Sequence, residues 1–306
     1  MQSDHARYQD FAILYRTNSQ SRALEEALRK RNLPYMIYSG NSFFDRAEVK
    51  DMMAYLKLVV NVNDDESFKR IVNTPSRGIG ETSLNALGAL AYDLKCSLFK
   101  AAYSERFAEF GLKQAAVAKI RSFCEMIDGF ASKVASTNAD ELATGISNAC
   151  GLYAFHKNDP SIEAQSRASN IEELINSVTH FIEERRDEYL RDLIVEGEAE
   201  EDTEVSYPVF TLGDFLENIS LLSNVDVEDE EDTNNKIALM TVHSAKGLEF
   251  PYVYVAGLEE NLFPTGGMLA SPADIEEERR LFYVAMTRAK KAVCLSFSNT
   301  RMRNGK

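Results

Sequence analysis

Two kinds of hydrophobic spacing alternate along the chain. Residues 10–18, DFAILYRTN, form an apolar run that ends in polar residues, the pattern of a strand entering a turn. Residues 19–32 put Ala23, Leu24, Ala27 and Leu28 at helical spacing, and 33–40, LPYMIYSG, read as a short second strand with Pro34 at its start. Strand, helix, strand is a βαβ unit, which predicts a parallel sheet. From about Asn41 the period changes: Val49, Met52, Met53, Leu56 and Val60 share one helical face, and further helices are predicted over 81–95, 113–133, 139–150 and 168–193. A last helix, 211–223, is capped by Thr211, with Asp214 three residues on as a capping-box partner.

After Asn235 the first pattern returns. KIALMTVH and YVYVAG read as strands, ADIEEERRLFYVAMTRA as a helix with Glu276 and Arg280 at i,i+4, and AVCLSFS (292–298) as a closing strand. Two α/β segments flanking a helical block predict one discontinuous α/β domain, 1–40 with 233–306, carrying a mainly α-helical insertion over 41–232.

Charge changes this picture only once its distribution is considered. The net charge of −14 argues against a nucleic-acid partner. Yet 19 acidic and 3 basic residues lie between Glu183 and Asp232, a local −16 that leaves the other 256 residues at +2. A DNA-facing surface is therefore permitted if the acidic stretch points elsewhere. Within it, 196–204 and 226–232 read as acidic loops. No apolar window is long enough for a membrane helix, and MQSDHARYQD is no secretory signal, so a cytoplasmic protein without membrane contact is expected. Cys96, Cys124, Cys150 and Cys294 form no metal or redox pair and read as buried thiols, and His5, His156, His180 and His243 are too scattered for a metal site.

Five stretches could carry chemistry. TVHSAKGLEF (241–250) joins two strands and holds donors in Thr241 and His243, an acceptor in Glu249, and Gly247, which permits a sharp turn or a close backbone approach; a solvated connection explains the same residues. EEERRLFYVAMTRAKK (276–291) is a helix whose Leu281, Phe282, Ala285, Met286 and Ala289 face the core, with Arg288 in its last turn. There the cation suits the helix dipole, or it serves as an arginine aimed at a transferring phosphoryl group. NTPSRGIGETSLNAL (73–87) sets Arg77, Gly78 and Gly80 before a helix start, either as a turn or as a seat for a backbone phosphate. LYRTNSQSR (14–22) carries Arg16, Asn18 and Arg22 in a βα turn, and in FFDRAEVKD (43–51) Phe43 and Phe44 read as core.

Taken in this order, the stretches resemble the UvrD/PcrA/Rep family of superfamily 1 DNA helicases. AILYRTNSQSRALEEAL is similar to that family's motif IV, and YSGNSFFDRAEVKD to the entry into its insertion domain. TPSRGIG resembles its duplex-touching glycine motif; LMTVHSAKGLEFPYVYVAGLEENLFP resembles motif V, and EEERRLFYVAMTRAKK motif VI. The resemblance runs from about Asp10 to Phe297 and implies a RecA-like (P-loop NTPase-like) α/β domain with a helical insertion. It also implies roles. Arg288 would be the catalytic arginine reaching the ATP γ-phosphate, and Glu249 and Gly247 would line the nucleotide site. Arg16, Asn18, Thr241 and His243 would hold single-stranded DNA, and Thr74, Arg77, Gly78 and Gly80 would grip the duplex.

The sequence departs from the family pattern in lacking G-x-x-x-x-G-K-[ST] and a Walker B stretch, both of which belong to the family's first RecA-like domain. The resemblance thus implies the C-terminal half of an ATP-dependent 3′–5′ helicase acting in DNA repair or replication in the bacterial cytoplasm. ATP and Mg²⁺ would serve the full-length enzyme, the N-terminal RecA-like domain and DNA would be its partners beside possible repair proteins, and this chain alone would be inactive with no cofactor bound. Two other readings stand beside it: a DNA-binding or partner-docking module without ATPase activity, and the motor part of a helicase–nuclease.

Overall fold

The structure, a computed structural model, describes residues 6–38, 42–196, 205–223, 235–265 and 271–299. In chain order the elements are β1 (Phe11–Tyr15), α1 (Ser21–Lys30), β2 (Tyr35–Ile37), α2 (Ala47–Val60), α3 (Asp65–Ile71), α4 (Glu81–Leu94), α5 (Leu98–Ala101) and α6 (Gln114–Ala131). They continue as α7 (Ala139–Cys150), α8 (Leu152–Lys157), α9 (Ile162–Glu196), α10 (Leu212–Ser223), β3 (Ile237–Thr241), β4 (Phe250–Val255), α11 (Pro272–Met286) and β5 (Ala289–Leu295). Short 3₁₀ turns include Asn18–Gln20 and Phe43–Asp45. No described helix is long and apolar enough to cross a membrane.

Contacts divide the chain into two units, one drawn from Met1–Arg46 and Ser220–Arg303 and the other principally from Ala47–Ile219. The first holds a five-stranded sheet in the order β2-β3-β1-β4-β5, every neighbouring pair parallel. Strand alternation explains its layers. Ala12, Leu14, Ala238, Met240, Val253 and Val255 meet Leu281 and Ala285 of α11 in one cluster. Tyr15 and Leu239, with the partly buried Phe11 and Ile13, meet Leu24 and Leu28 of α1 in the other. The βα unit at the start of the chain is thus completed by strands more than 190 residues later, with β3 slotting between β1 and β2.

The second unit is helical. Around its central α2, which packs against α3, α6, α7 and α9, Val49, Met52, Met53, Tyr55, Leu56, Leu58 and Val59 are all buried. Helix α9 begins at Ile162, earlier than the expected 168, and α3, α5 and α8 are elements the periodicity did not reveal, each being too short to show a repeat. Val60, expected on the apolar face, is exposed because α2 ends there. The expected cap on α10 is present, with Thr211 N–H donating to Asp214 at 2.7 Å and Asp214 N–H to Thr211 Oγ1 at 3.3 Å. The acidic runs at 196–204 and 226–232 lie outside the described residues, except Glu196 at the end of α9. Of the thiols, Cys124 and Cys150 are buried; Cys294 is exposed instead, because it lies on the edge strand β5.

Candidate functional site

The sheet of the first unit has two working edges. At the C-terminal ends of β1 and β3, Val242 N–H donates to the Tyr15 carbonyl at 2.9 Å, which carries the β1–β3 pairing one residue past the strands. That bond sets His243 beside Arg16. Thr241 Oγ1 lies 3.0 Å from Ser244 Oγ and accepts from Ser244 N–H, so the loop begins as a hydrogen-bonded turn with Thr241 half-buried and His243 exposed. On the β1 side, the Gln20 amide oxygen accepts from the N–H groups of Arg16 and Thr17, both at 2.9 Å, and the Asn18 carbonyl accepts from Arg46 at 2.8 Å. Arg16, Asn18, Thr241 and His243 therefore share one edge.

A carboxylate that the motif reading passed over organises this edge. Glu278 of α11, buried, takes the Arg16 Nε and Nη2 donors at 3.0 and 2.7 Å and the Thr265 hydroxyl at 2.8 Å. Burial alone would raise its pKa, but the bonds from Arg16 and Thr265 hold the carboxyl below its ordinary range. Arg16 Nη1 has no partner among the described residues, so the fork is braced on one side and open on the other. The His243 ring, exposed by area but partly desolvated on its inner side, has its pKa lowered by that desolvation and then by Arg16, against the opposing pull of Glu278 and Glu277. The signal for Glu278 was legible: it shares a helical face with Leu281 and Ala285, and an acid on an apolar stripe needs a partner.

Because Glu278 has a depressed folded pKa, its contribution to stability is present above the unfolded carboxyl value of 4.5 and is lost as pH falls through the folded one. Thermal unfolding from about pH 7 down to pH 3 should show a fall below about pH 4.5 that Glu278→Gln flattens. An identical pH profile in the variant would refute the assignment.

The other edge lies at the N-terminal ends of β4 and β5. There Phe250 N–H donates to the Arg288 carbonyl at 2.9 Å, and the Arg288 guanidinium donates to the Leu248, Val284 and Thr287 oxygens, each at 3.1 Å. Two of its five N–H groups have no partner among the described residues. Glu249 is exposed beside Lys290, 3.6 Å away. Gly247, at φ +90°, turns the chain in open space where a side chain would be strained. Gly247, Glu249 and Arg288 are thus brought together, away from the first group by the length of a five-residue strand, about 16 Å. The 242–249 crossover and α11 each run from one edge to the other.

The glycine loop belongs to the second unit. Arg77, expected with Gly78 and Gly80 to grip a duplex, has its guanidinium turned inward. Its Nη1 donates to the carbonyls of Ile71, Thr74 and Pro75 at 3.0–3.2 Å and to Val72 at 3.4 Å. Its Nη2 donates to Tyr55 Oη at 2.6 Å and the Cys150 carbonyl at 3.0 Å. The physical reason is that a sharp turn before α4 leaves carbonyls pointing into the fold, and they need donors. Thr74 is half-buried with its hydroxyl on the Arg70 carbonyl, whereas the Gly78 and Gly80 backbones are exposed. Asn73 Oδ1 accepts from the N–H groups of Arg77 and Ile79, fixing the loop from beneath.

The parallel sheet, with helices on both faces and strand order 2-3-1-4-5, defines a RecA-like α/β domain. The chain belongs to the UvrD-like helicase C-terminal domain family, whose model matches residues 1–300. It is 40% identical over 298 residues to the ATP-dependent DNA helicase PcrA of Bacillus subtilis (strain 168), covering 96% of this chain and 37% of that protein. To DNA helicase II of Escherichia coli (strain K12) it is 37% identical over 296 residues, 96% of this chain and 38% of the other. To PcrA of Staphylococcus epidermidis (strain RP62A) it is 37% identical over 302 residues, 98% and 38% respectively. The chain therefore spans well under half the length of these curated relatives.

Proposed function

We propose that this chain supplies the DNA-gripping and arginine-donating part of an ATP-dependent 3′–5′ DNA helicase or translocase of repair or replication, working in the cytoplasm beside a RecA-like domain that brings the phosphate-cradling loop. The observation that carries the reading is the pair of edge-to-edge connections in the first unit. The 242–249 crossover bears His243 at one end and Glu249 at the other, and α11 bears Glu278 near the first edge and leads into Arg288 at the second. Arg16, whose Nη1 has no partner among the described residues, Asn18, Thr241 and His243 would hold the single strand. Thr74 and the Gly78–Gly80 backbone would face duplex DNA. Glu249 and Gly247 would border the nucleotide.

The donor set fits a nucleotide approached from the side. Arg288 keeps two N–H groups while its other three fix its position, which is what electrostatic stabilisation of a transferring phosphoryl group requires. When bound, ATP with Mg²⁺ supplies the free energy of hydrolysis. The residues here orient the guanidinium and link its position, through α11 and the crossover, to the DNA edge.

The test is binding of this chain to single-stranded DNA and to a duplex with a single-stranded tail, across about 50 to 200 mM salt. Affinity that falls steeply with salt, and falls further in Asn18→Ala and His243→Ala, is the expected result. Binding that is absent at low salt, or indifferent to both substitutions, would overturn the assignment of the first edge to DNA.

A further inference from the structure

With Arg77 turned inward, the exposed glycine loop needs another source of positive charge if it meets a phosphate, and the structure holds one that the motif does not contain. Lys119 of α6, exposed, places its ammonium 3.2 Å from the Gly78 carbonyl. Among the described residues no carboxylate lies within ion-pair distance of it. Lys113 and Lys133 of the same unit also lack an ion pair among the described residues, but Lys119 is the one bonded to the glycine loop. Its lack of an ion pair separates it from several paired cations around it. Arg70 is paired with Asp51 at 2.7 Å, Arg106 with Asp93 at 2.9 Å, Arg121 with Glu105 at 3.2 Å and Lys69 with Glu66 at 3.0 Å. In a chain of net charge −14, an ammonium held in place but not neutralised stands out.

The geometry shows how it is held. Helix α6 clamps the loop from two sides. Phe123 lies inside, its ring centroid 5.2 Å from the Arg77 guanidinium carbon, and Lys119, one turn earlier on the same face, reaches over the loop from outside. Gly78 sits at φ +68°, and a Cβ built there would lie 2.6 Å from the Lys119 ammonium. The positive φ calls for glycine here, and a side chain in its place would displace the ammonium from the loop.

We propose that Lys119 is the phosphate-contacting cation of the glycine loop, with Arg77 as its internal scaffold. The ligand is the sugar-phosphate backbone of duplex DNA, read without base specificity, because one ammonium beside a backbone carbonyl offers only charge and a donor. The proposal rests on the DNA-binding reading above and adds to it a residue from about forty positions downstream of the motif.

The experiment compares the unaltered chain, Lys119→Gln and Lys119→Arg for affinity to a tailed duplex as a function of salt, with thermal unfolding alongside. Removing one phosphate contact should reduce the slope of log affinity against log salt by about 0.9 and weaken binding to unrelated sequences equally. Lys119→Arg should restore most of both, and unfolding should be unchanged because the side chain is exposed. A Gln variant with the parent affinity and slope would overturn the role of Lys119 and leave the broader reading intact, as would failure of Arg to restore binding. No salt-dependent binding by the unaltered chain would overturn both.

Discussion

Arg77→Ala is expected to destabilise the helical unit by roughly 4 kcal/mol, one of the larger effects a single side chain can have. The guanidinium donates to the four carbonyls of Ile71, Val72, Thr74 and Pro75, to a fifth at Cys150 on the last turn of α7, and to the Tyr55 hydroxyl, and it lies over the Phe123 and Tyr55 rings. Alanine leaves the Val72, Pro75 and Cys150 carbonyls without the donor they have here, each costing about 1–3 kcal/mol unless water enters. The Ile71 and Thr74 carbonyls keep bonds from Thr74 N–H and the Tyr55 hydroxyl. Lysine cannot substitute: it has three donors on one atom and no planar fork to span two elements. Urea unfolding followed by a probe in the helical unit would measure the effect. A shift below about 1 kcal/mol would show that the loop does not depend on this residue. DNA affinity should fall as well, but with loss of structure, unlike the change expected for Lys119→Gln.

Arg288→Ala, made in the longer ATP-hydrolysing protein proposed above, should lower kcat by about 10³-fold with little change in nucleotide affinity. The side chain is fixed by bonds to Leu248, Val284 and Thr287, so its position is set before any ligand arrives, and the two remaining N–H groups can act on charge that develops only in the transition state. Arg288→Lys should recover little, because an ammonium cannot bond Leu248 and a phosphoryl oxygen in the same geometry. Measuring DNA-stimulated ATP turnover together with single-stranded DNA affinity separates the roles. Turnover within a few-fold of the parent would remove Arg288 from catalysis, and a parallel loss of DNA affinity would make its role structural.

What the sequence determined by itself is local. The apolar run FAILY ending in polar residues marks β1, the repeat through Leu281 and Ala285 marks the buried stripe of α11, and Thr211 with Asp214 marks a helix start. Each depends on backbone geometry over a few residues, so the spacing of residue types suffices. The parallel sheet followed too, since a strand–helix–strand unit leaves few alternatives. Only the tertiary structure decided which way the charged groups face. Arg77 looks like an outward cation beside glycines until the carbonyls of its own turn, and that of Cys150, are seen to require it. Lys119 carries no motif, and reaches Gly78 only because α6 packs Phe123 against Arg77. Glu278 meets Arg16 across 262 positions. The compact string TVHSAKGLEF is spread across the sheet, so that His243 and Glu249 lie at opposite edges. The reason is physical: a charged side chain is placed by the partners that offset its desolvation, and those partners come from wherever folding brings them.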